Sequence, residues 1–311
     1  PRRRSLAPRP RHPGRLVSTD AVQHVAPTPA SAPKRLGKSI KSLIGAPDGA
    51  VEPPCRLSES SLWDRQRAFY AADGVGVWSS GTVPHYITCN PRIAGMYARI
   101  AASFARWAET PGAGRSGDVL RVVEMGAGSG RFAYLFVRML RRLAPGLRFR
   151  YVVTDFSAER LEHWRRHPSF RPLVDDGFVD FAHLDLDHPA PLDLIVSGQR
   201  WEPGEQAGPV VGVANYLFDT LRHDCFLIKN GAVFENHVEL RSADAGEASA
   251  TMSTMADVRV LWHEAPLGPL SPDVRDVLER YASLLDDTAV LVPTAASRCL
   301  DFVSELSTGP S

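Results

Sequence analysis

Three glycines at alternate positions follow a carboxylate in Val122-Val123-Glu124-Met125-Gly126-Ala127-Gly128-Ser129-Gly130. A Val-rich run precedes them and an apolar-striped stretch, Phe132 to Leu143, follows, so the loop reads as a strand-to-helix turn. Such a turn suits a nucleotide-like ligand, because glycine lets backbone approach where a Cβ would collide. The spacing excludes three neighbouring motifs. The dinucleotide fingerprint Gly-x-Gly-x-x-Gly needs a glycine where Arg131 stands. Gly37-Lys38-Ser39 ends like a Walker loop, but Ala32 occupies the place of its first glycine and no strand precedes it. Ser129 fails as an elbow nucleophile, since Ala127 and Arg131 replace the flanking glycines.

The remaining pattern, Glu124-x-Gly126-x-Gly128-x-Gly130, resembles motif I of class I S-adenosylmethionine (SAM) dependent methyltransferases. SAM carries no phosphate, so a helix dipole has no dianion to stabilise, and short polar contacts and backbone must grip it. The resemblance implies that Glu124 lies near the methionine end of the cofactor, with Gly126, Ala127, Gly128 and Gly130 packed beneath it. A second β-branched run, Phe149 to Thr154, ends in Asp155, 25 residues past Gly130. A carboxylate there can accept both ribose hydroxyls, together worth about 3 kcal/mol or more. Phe156 joins the candidate cofactor set, and Ser157 reads as the N-cap of a helix through Leu161 and Trp164. A third strand, Phe178 to Leu184, leads to Asp185-Leu186-Asp187. The resemblance implies an adenine contact here, with Asp185 preferred over Asp187. The fourth strand, Val210 to Ala214, runs into Asn215-Tyr216-Leu217-Phe218-Asp219-Thr220-Leu221. Ligands of open α/β sheets sit beyond the carboxyl ends of the strands, so Glu124, Asp155, Asn215 and Asp219 are expected around one mouth.

Asn215 to Leu221 is similar to the fourth-strand motif Asn-Glu-Phe-Phe-Asp-Ala-Leu-Pro of MidA-like methyltransferases, a family that includes the mitochondrial complex I assembly enzyme that methylates a protein arginine. This chain keeps Asn215, Phe218, Asp219 and Leu221, and differs at Tyr216, Leu217, Thr220 and Arg222. Tyr216 replaces a glutamate that could have held a guanidinium, so arginine stays one acceptor side chain the resemblance allows and not the one it requires. The implied activity is methyl transfer from SAM to a protein side chain or a small-molecule acceptor; the alternative is a non-catalytic SAM-binding or assembly factor. Methyl transfer is an in-line displacement in which proximity and alignment are worth about 7–11 kcal/mol in favourable cases. A protonated nucleophile also needs a group to orient it or take its proton. Asp219 is the first catalytic candidate, Asn215 positions the acceptor, and His223 is a weaker base whose ordinary pKa lies near neutrality.

These residues require an α/β frame. The expected fold is a Rossmann-like class I methyltransferase sheet with a helical N-terminal lead-in and a β-hairpin insertion, incomplete at its C-terminus because the sheet's later strands have no sequence to supply them. The expected divisions are a basic Pro/Arg-rich disordered tail (1–57), a helical lead-in or cap (58–117) and a SAM-binding α/β domain (118–311) carrying an insertion at 222–270. In the lead-in, Tyr86, Thr88 and Asn90 could line the site, and a helix over 92–107 places Met96, Ile100, Phe104 and Trp107 on one face. Asn230-Gly231 predicts a hairpin turn, Val258 to Trp262 a strand, Ser271-Pro272-Asp273 a helix start, and Thr294 the cap of a last helix with Leu300, Val303 and Leu306 inward.

Residues 1–47 hold ten Lys/Arg and one acid, a charge of +9; the whole chain is +1, so the remainder is 1 − 9 = −8. That balance argues against a nucleic-acid surface on the folded part. No apolar run reaches the roughly eighteen residues of a membrane span. The cofactor expected is SAM alone, the compartment cytoplasmic, or mitochondrial if the basic tail is a transit peptide. Cys55, Cys89, Cys225 and Cys299 form no Cys-x-x-Cys pair, and His163 and His167 sit in an Arg-rich stretch that reads as a solvated helix face, so no metal is expected.

Overall fold

The computed structural model describes residues 50–72, 76–79, 85–110, 119–206, 208–242 and 258–307. Its elements in chain order are β1 (Ala50–Cys55), α1 (Ser61–Ala72), α2 (Gly76–Ser79), α3 (Pro91–Ala108), β2 (Leu120–Glu124), α4 (Arg131–Leu143), β3 (Phe149–Asp155), α5 (Ala158–Arg166), α6 (Arg171–Asp175) and β4 (Val179–His183). Then follow β5 (Leu192–Asp193), β6 (Arg200–Trp201), β7 (Val210–Val213), β8 (Asp224–Lys229), β9 (Ala232–Ser242), β10 (Val258–Ala265), α7 (Pro272–Ala282), β11 (Thr288–Val292) and α8 (Thr294–Leu306). The basic tail through residue 49 and most of the polar stretch after Arg241 lie outside the described residues.

The four apolar runs anticipated from sequence form one parallel sheet in the order β4-β3-β2-β7. A strand covered on both faces should read as a nearly continuous apolar run, and these do. Val122, Tyr151, Val153 and Phe181 join the core shared with α3, α4 and α5. Their neighbours Val123, Val152 and Ala182 join a second core against α8. Alternation along each strand thus feeds two opposite layers. The chain order reverses between β2 and β7, which opens a crevice at the carboxyl ends of these strands. Among the described residues no strand pairs with the other edge of β7; Gln206 and Ser307 make an isolated parallel bridge there.

A second, antiparallel sheet has the order β1-β9-β8-β11, with β10 also on β9. The Asn230-Gly231 turn closes β8 onto β9 with φ of 50° and 73°, the left-handed pair a two-residue hairpin needs. Four expectations change. Residues 50–55, placed in the tail by their prolines, form β1; Pro53 and Pro54 are tolerated because β1 is an edge strand. In α3 the buried face is Ala94, Ala98, Ala101, Ala102 and Ala105, while Met96, Ile100 and Trp107 are exposed. Close packing against α4 selects the small residues and turns the bulky stripe outward. Pro293, not Thr294, stands at the cap of α8, and the Thr294 hydroxyl donates to the Arg222 carbonyl. Leu300 is exposed, because the inward row of α8 is Ala295, Cys299, Phe302 and Leu306, and residue 300 falls about 100° off that row. No helix among the described residues is long and apolar enough to cross a membrane.

Candidate functional site

At the carboxyl ends of the parallel strands lies a cavity of about 1100 Å³, its solvent-open mouth included. Its floor is the glycine loop. Gly126, Gly128 and Gly130 all have positive φ. A Cβ on Gly126 would stand 2.7 Å from Leu217 Cδ1, and one on Gly128 2.8 Å from the Trp78 ring. Gly126, Ala127, Gly128 and Ser129 line the cavity. Gly130 does not: it starts α4, and the Trp164 ring packs where its Cβ would be.

Glu124 ends β2 and lines the same floor. Its Oε2 and the Tyr151 hydroxyl are both buried with no hydrogen-bond partner among the described residues. Burial, reinforced by the charge of Asp155, pushes the Glu124 carboxyl up to about 8; the Tyr151 hydroxyl opposes the shift from nearby but out of hydrogen-bond geometry. Burial thus favours the neutral form of Glu124 until a cation meets it.

Asp155 is held more firmly than a free ribose acceptor would be. Its Oδ1 accepts from Arg160 Nε at 3.1 Å and Nη2 at 2.6 Å and from the Ser157 N–H at 2.9 Å; its Oδ2 accepts from the Gly128 N–H at 3.2 Å. Ser157 caps α5 as expected, and that helix delivers Arg160. Arg160 also donates to the Tyr70 carbonyl at 2.7 Å and lies over the Phe156 and Trp78 rings at 4.7 and 5.2 Å. Asp185 meets Arg67 in a two-pronged pair, at 2.9 and 2.7 Å. Burial alone would raise the Asp185 pKa, but Arg67 holds it below the usual range.

The covering wall is α1. Trp63, Gln66, Arg67 and Tyr70 all line the cavity, and their i, i+3, i+4, i+7 spacing places them on one helix face. Glu52 of β1 fixes the helix start by accepting from the Ser61 N–H at 3.1 Å. Arg222 ties the helix to the far rim by donating to Asp64 at 2.7 Å and to the Ser58 carbonyl at 2.8 Å.

At the tip of β7, Asn215 donates to the Thr88 carbonyl at 3.4 Å and to Cys89 Sγ at 3.5 Å. Tyr216 holds φ 56°, a conformation a tyrosine rarely adopts, and lines the mouth. Of the sequence candidates, Glu124, Gly126, Ala127, Gly128, Asp155, Phe156, Asp185 and Asn215 line one cavity, and Thr88 with them. Asp219 is exposed and outside the lining, though near enough to Tyr70 to act on its hydroxyl electrostatically. His223 stacks on Trp63 and bonds the Leu221 carbonyl. Asn90 caps α3, and Tyr86 is exposed and outside the lining. The sequence reading missed Arg67, Tyr70, Trp78 and Arg160. The helical spacing of 63, 66, 67 and 70 was the available signal for the first two; nothing in the sequence marked Arg160 or Trp78.

Residues 100–306 match the family described as "Putative S-adenosyl-L-methionine-dependent methyltransferase". The chain belongs to this family. No curated protein matches it. Among solved structures, an uncharacterized protein from Burkholderia thailandensis is similar over 80% of this chain and 53% of its own, at 18% identity and TM-score 0.45. A second Burkholderia thailandensis protein of the same superfamily, bound to S-adenosyl-homocysteine, is similar over 79% of this chain and 61% of its own, at 16% identity and TM-score 0.45. The chain thus spans little more than half the length of the structures it matches. For this member of the SAM-dependent methyltransferase family the donor set suits SAM. A buried carboxyl oxygen without a partner can accept from the cofactor's ammonium, and the glycine cradle admits backbone contact that a Cβ would block.

Proposed function

We propose that the protein transfers the methyl group of SAM to a nucleophile held at the mouth beside Asn215 and Tyr216. The observation that carries the reading is the unpartnered, buried Glu124 Oε2 beside a left-handed glycine loop at the switch point of a parallel sheet. When bound, SAM supplies an electrophilic methyl on a sulfonium. Glu124 gives up its proton to hold an ammonium. The Gly126–Gly128 backbone supports the cofactor from below, Asp155 receives a ribose hydroxyl at Oδ2, which carries only the Gly128 N–H bond while Arg160 and Ser157 fill Oδ1, and Asp185 receives the base. Asn215 orients the acceptor, and Asp219 at the outer rim takes its proton to solvent. The strand order supports a class I arrangement, and Asn215, Phe218, Asp219 and Leu221 support a MidA-like relation. A protein side chain is the acceptor favoured by that relation.

Calorimetric titration with SAM, S-adenosyl-homocysteine and NAD tests the cofactor; binding of NAD without SAM sinks the reading. Label transfer from methyl-tritiated SAM into extract proteins and into the small-molecule fraction then tests catalysis. The exposure of Asp219 favours one second reading, a SAM-binding factor without transferase activity. Tight SAM binding with no label transfer to either fraction would select it. An Asp219→Ala variant that binds SAM and transfers label undiminished would remove Asp219 from the mechanism.

A further inference from the structure

Three arginines line the cavity, and they differ in freedom. Arg222 is tied at the rim to Asp187, Asp64 and the Ser58 carbonyl. The Arg160 side chain is 3% exposed and its partner Asp155 4%. It bonds a carboxylate and a backbone carbonyl at once, so it belongs to the frame. The Arg67 side chain is 36% exposed, on the helix that covers the cavity. Its guanidinium is flat. It lies over the Phe156 ring with its carbon 4.5 Å from the centroid and sends two N–H groups to the two oxygens of Asp185. Asp185 Oδ1 also accepts from the Asp187 N–H at 3.1 Å. Phe156, Leu184 and Leu186 wall this end of the cavity, with Asp187 beside Arg67 and the buried Arg160 also over the Phe156 ring, 4.7 Å from its centroid.

A flat group stacked on an aromatic ring and donating to a carboxylate is also what an aminopurine would be there. We propose that Arg67 is the gate of the base subsite: its guanidinium stands where the adenine ring must stack, and it swings to solvent when the base takes Phe156 and Asp185. The inference rests on the SAM reading above, since it takes the ligand to be an adenosyl compound. The swing is feasible because the side chain is long and already partly in water, and because Asp187 Oδ2, 3.5 Å from Arg67 Nη1 and shared with Arg222, keeps a second carboxylate within its reach. The Asp185 carboxylate is then paired throughout, first by a guanidinium and then by an exocyclic amine, so the cavity never buries it unpartnered.

The test is calorimetric binding of S-adenosyl-homocysteine and of its inosine analogue, in which a carbonyl replaces the purine amino group. The proteins are the wild-type chain, Arg67→Ala and the more conservative Arg67→Gln. Removing the competing ion pair is expected to tighten S-adenosyl-homocysteine binding about two- to fivefold, the scale of a partly exposed charge pair. The inosine analogue, which turns a carbonyl oxygen instead of an amino donor toward Asp185, should gain less, so discrimination between the two rises in both variants. A substitution that merely loosened the helix would weaken both ligands alike. Equal or weaker S-adenosyl-homocysteine binding by either folded variant overturns the proposal. If no adenosyl compound binds the wild-type chain, the cofactor reading itself has failed, and the gate falls with it.

Discussion

Glu124 carries the strongest residue-scale prediction. Its folded pKa of about 8 lies above the ordinary 4.5, so the folded chain keeps a proton that the unfolded chain loses. The stability this group contributes is complete below pH 4.5 and is lost as pH rises through about 8. Glu124→Gln should flatten that decline in denaturant titrations at several pH values; an unchanged pH profile would refute it. The same carboxyl must ionise to hold an ammonium, so SAM binding near pH 7 should release protons. The binding enthalpy should then track the ionisation enthalpy of the buffer in the wild-type chain and not in Glu124→Gln. Arg160 supplies a second test. Both members of its pair with Asp155 are almost fully buried. Removing one partner of such a pair leaves a buried charge alone and costs about 3–5 kcal/mol. Arg160→Ala should lower the denaturation midpoint accordingly, with Arg160→Lys recovering part of the loss. A change under about 1 kcal/mol would mean that water replaces the guanidinium.

At the scale of elements, the glycine loop and the strand tips were legible because period, acid spacing and glycine spacing are local properties of the chain. Glu124, Asp155, Asp185 and Asn215 could each be placed at a strand end before any fold was known. The orientation of α3 was not legible. Its sequence offers a bulky stripe of Met96, Ile100 and Trp107 and an alanine stripe of Ala94, Ala98 and Ala105, and both have helical period. Hydrophobicity alone favours the bulky one. The structure buries the alanines, because helix-to-helix closeness against α4 leaves no room for larger groups. Ala98→Leu should therefore overpack that interface and cost about 1–3 kcal/mol. Ile100→Ser, on the exposed stripe, should stay within about 0.5 kcal/mol. Paired chemical denaturation curves decide it, and the reverse ranking would put the stripe inside. The α1 face is a second case. Its spacing was visible, but its mixture of Trp63, Gln66, Arg67 and Tyr70 matches neither a core stripe nor a solvated one, because it faces a cavity that is both apolar and polar.

For the whole molecule, the parallel sheet and the antiparallel sheet meet the cavity unequally. The parallel sheet supplies the floor through β2, β3, β4 and β7, and the antiparallel sheet contributes through β1, whose Glu52 fixes the start of the covering helix. Cofactor binding should therefore stabilise the chain as a unit. Ligand at about 100 times its Kd adds about 2.7 kcal/mol. For a domain of this size that corresponds to a rise in Tm of about 5–11 °C. Thermal melts with and without S-adenosyl-homocysteine measure it, and an unmoved Tm would mean that the folded chain does not bind the ligand.

By itself the chain's order of residues determined the alternation of strands and helices, the left-handed glycine turn, the hairpin at Asn230-Gly231 and the acids at the strand tips. Each follows from chemistry within a few residues of itself. Tertiary structure alone decided what those acids meet. Arg67 lies 118 residues before Asp185 and Trp78 stands beside Gly128, pairings set by the path of α1 and α2 across the sheet. Even Arg160, five residues past Asp155, depends on the burial that turns a local charge pair into a fixed part of the floor. Local sequence specifies backbone conformation and face; the dielectric surroundings and partners of a charge exist only once distant segments close around it.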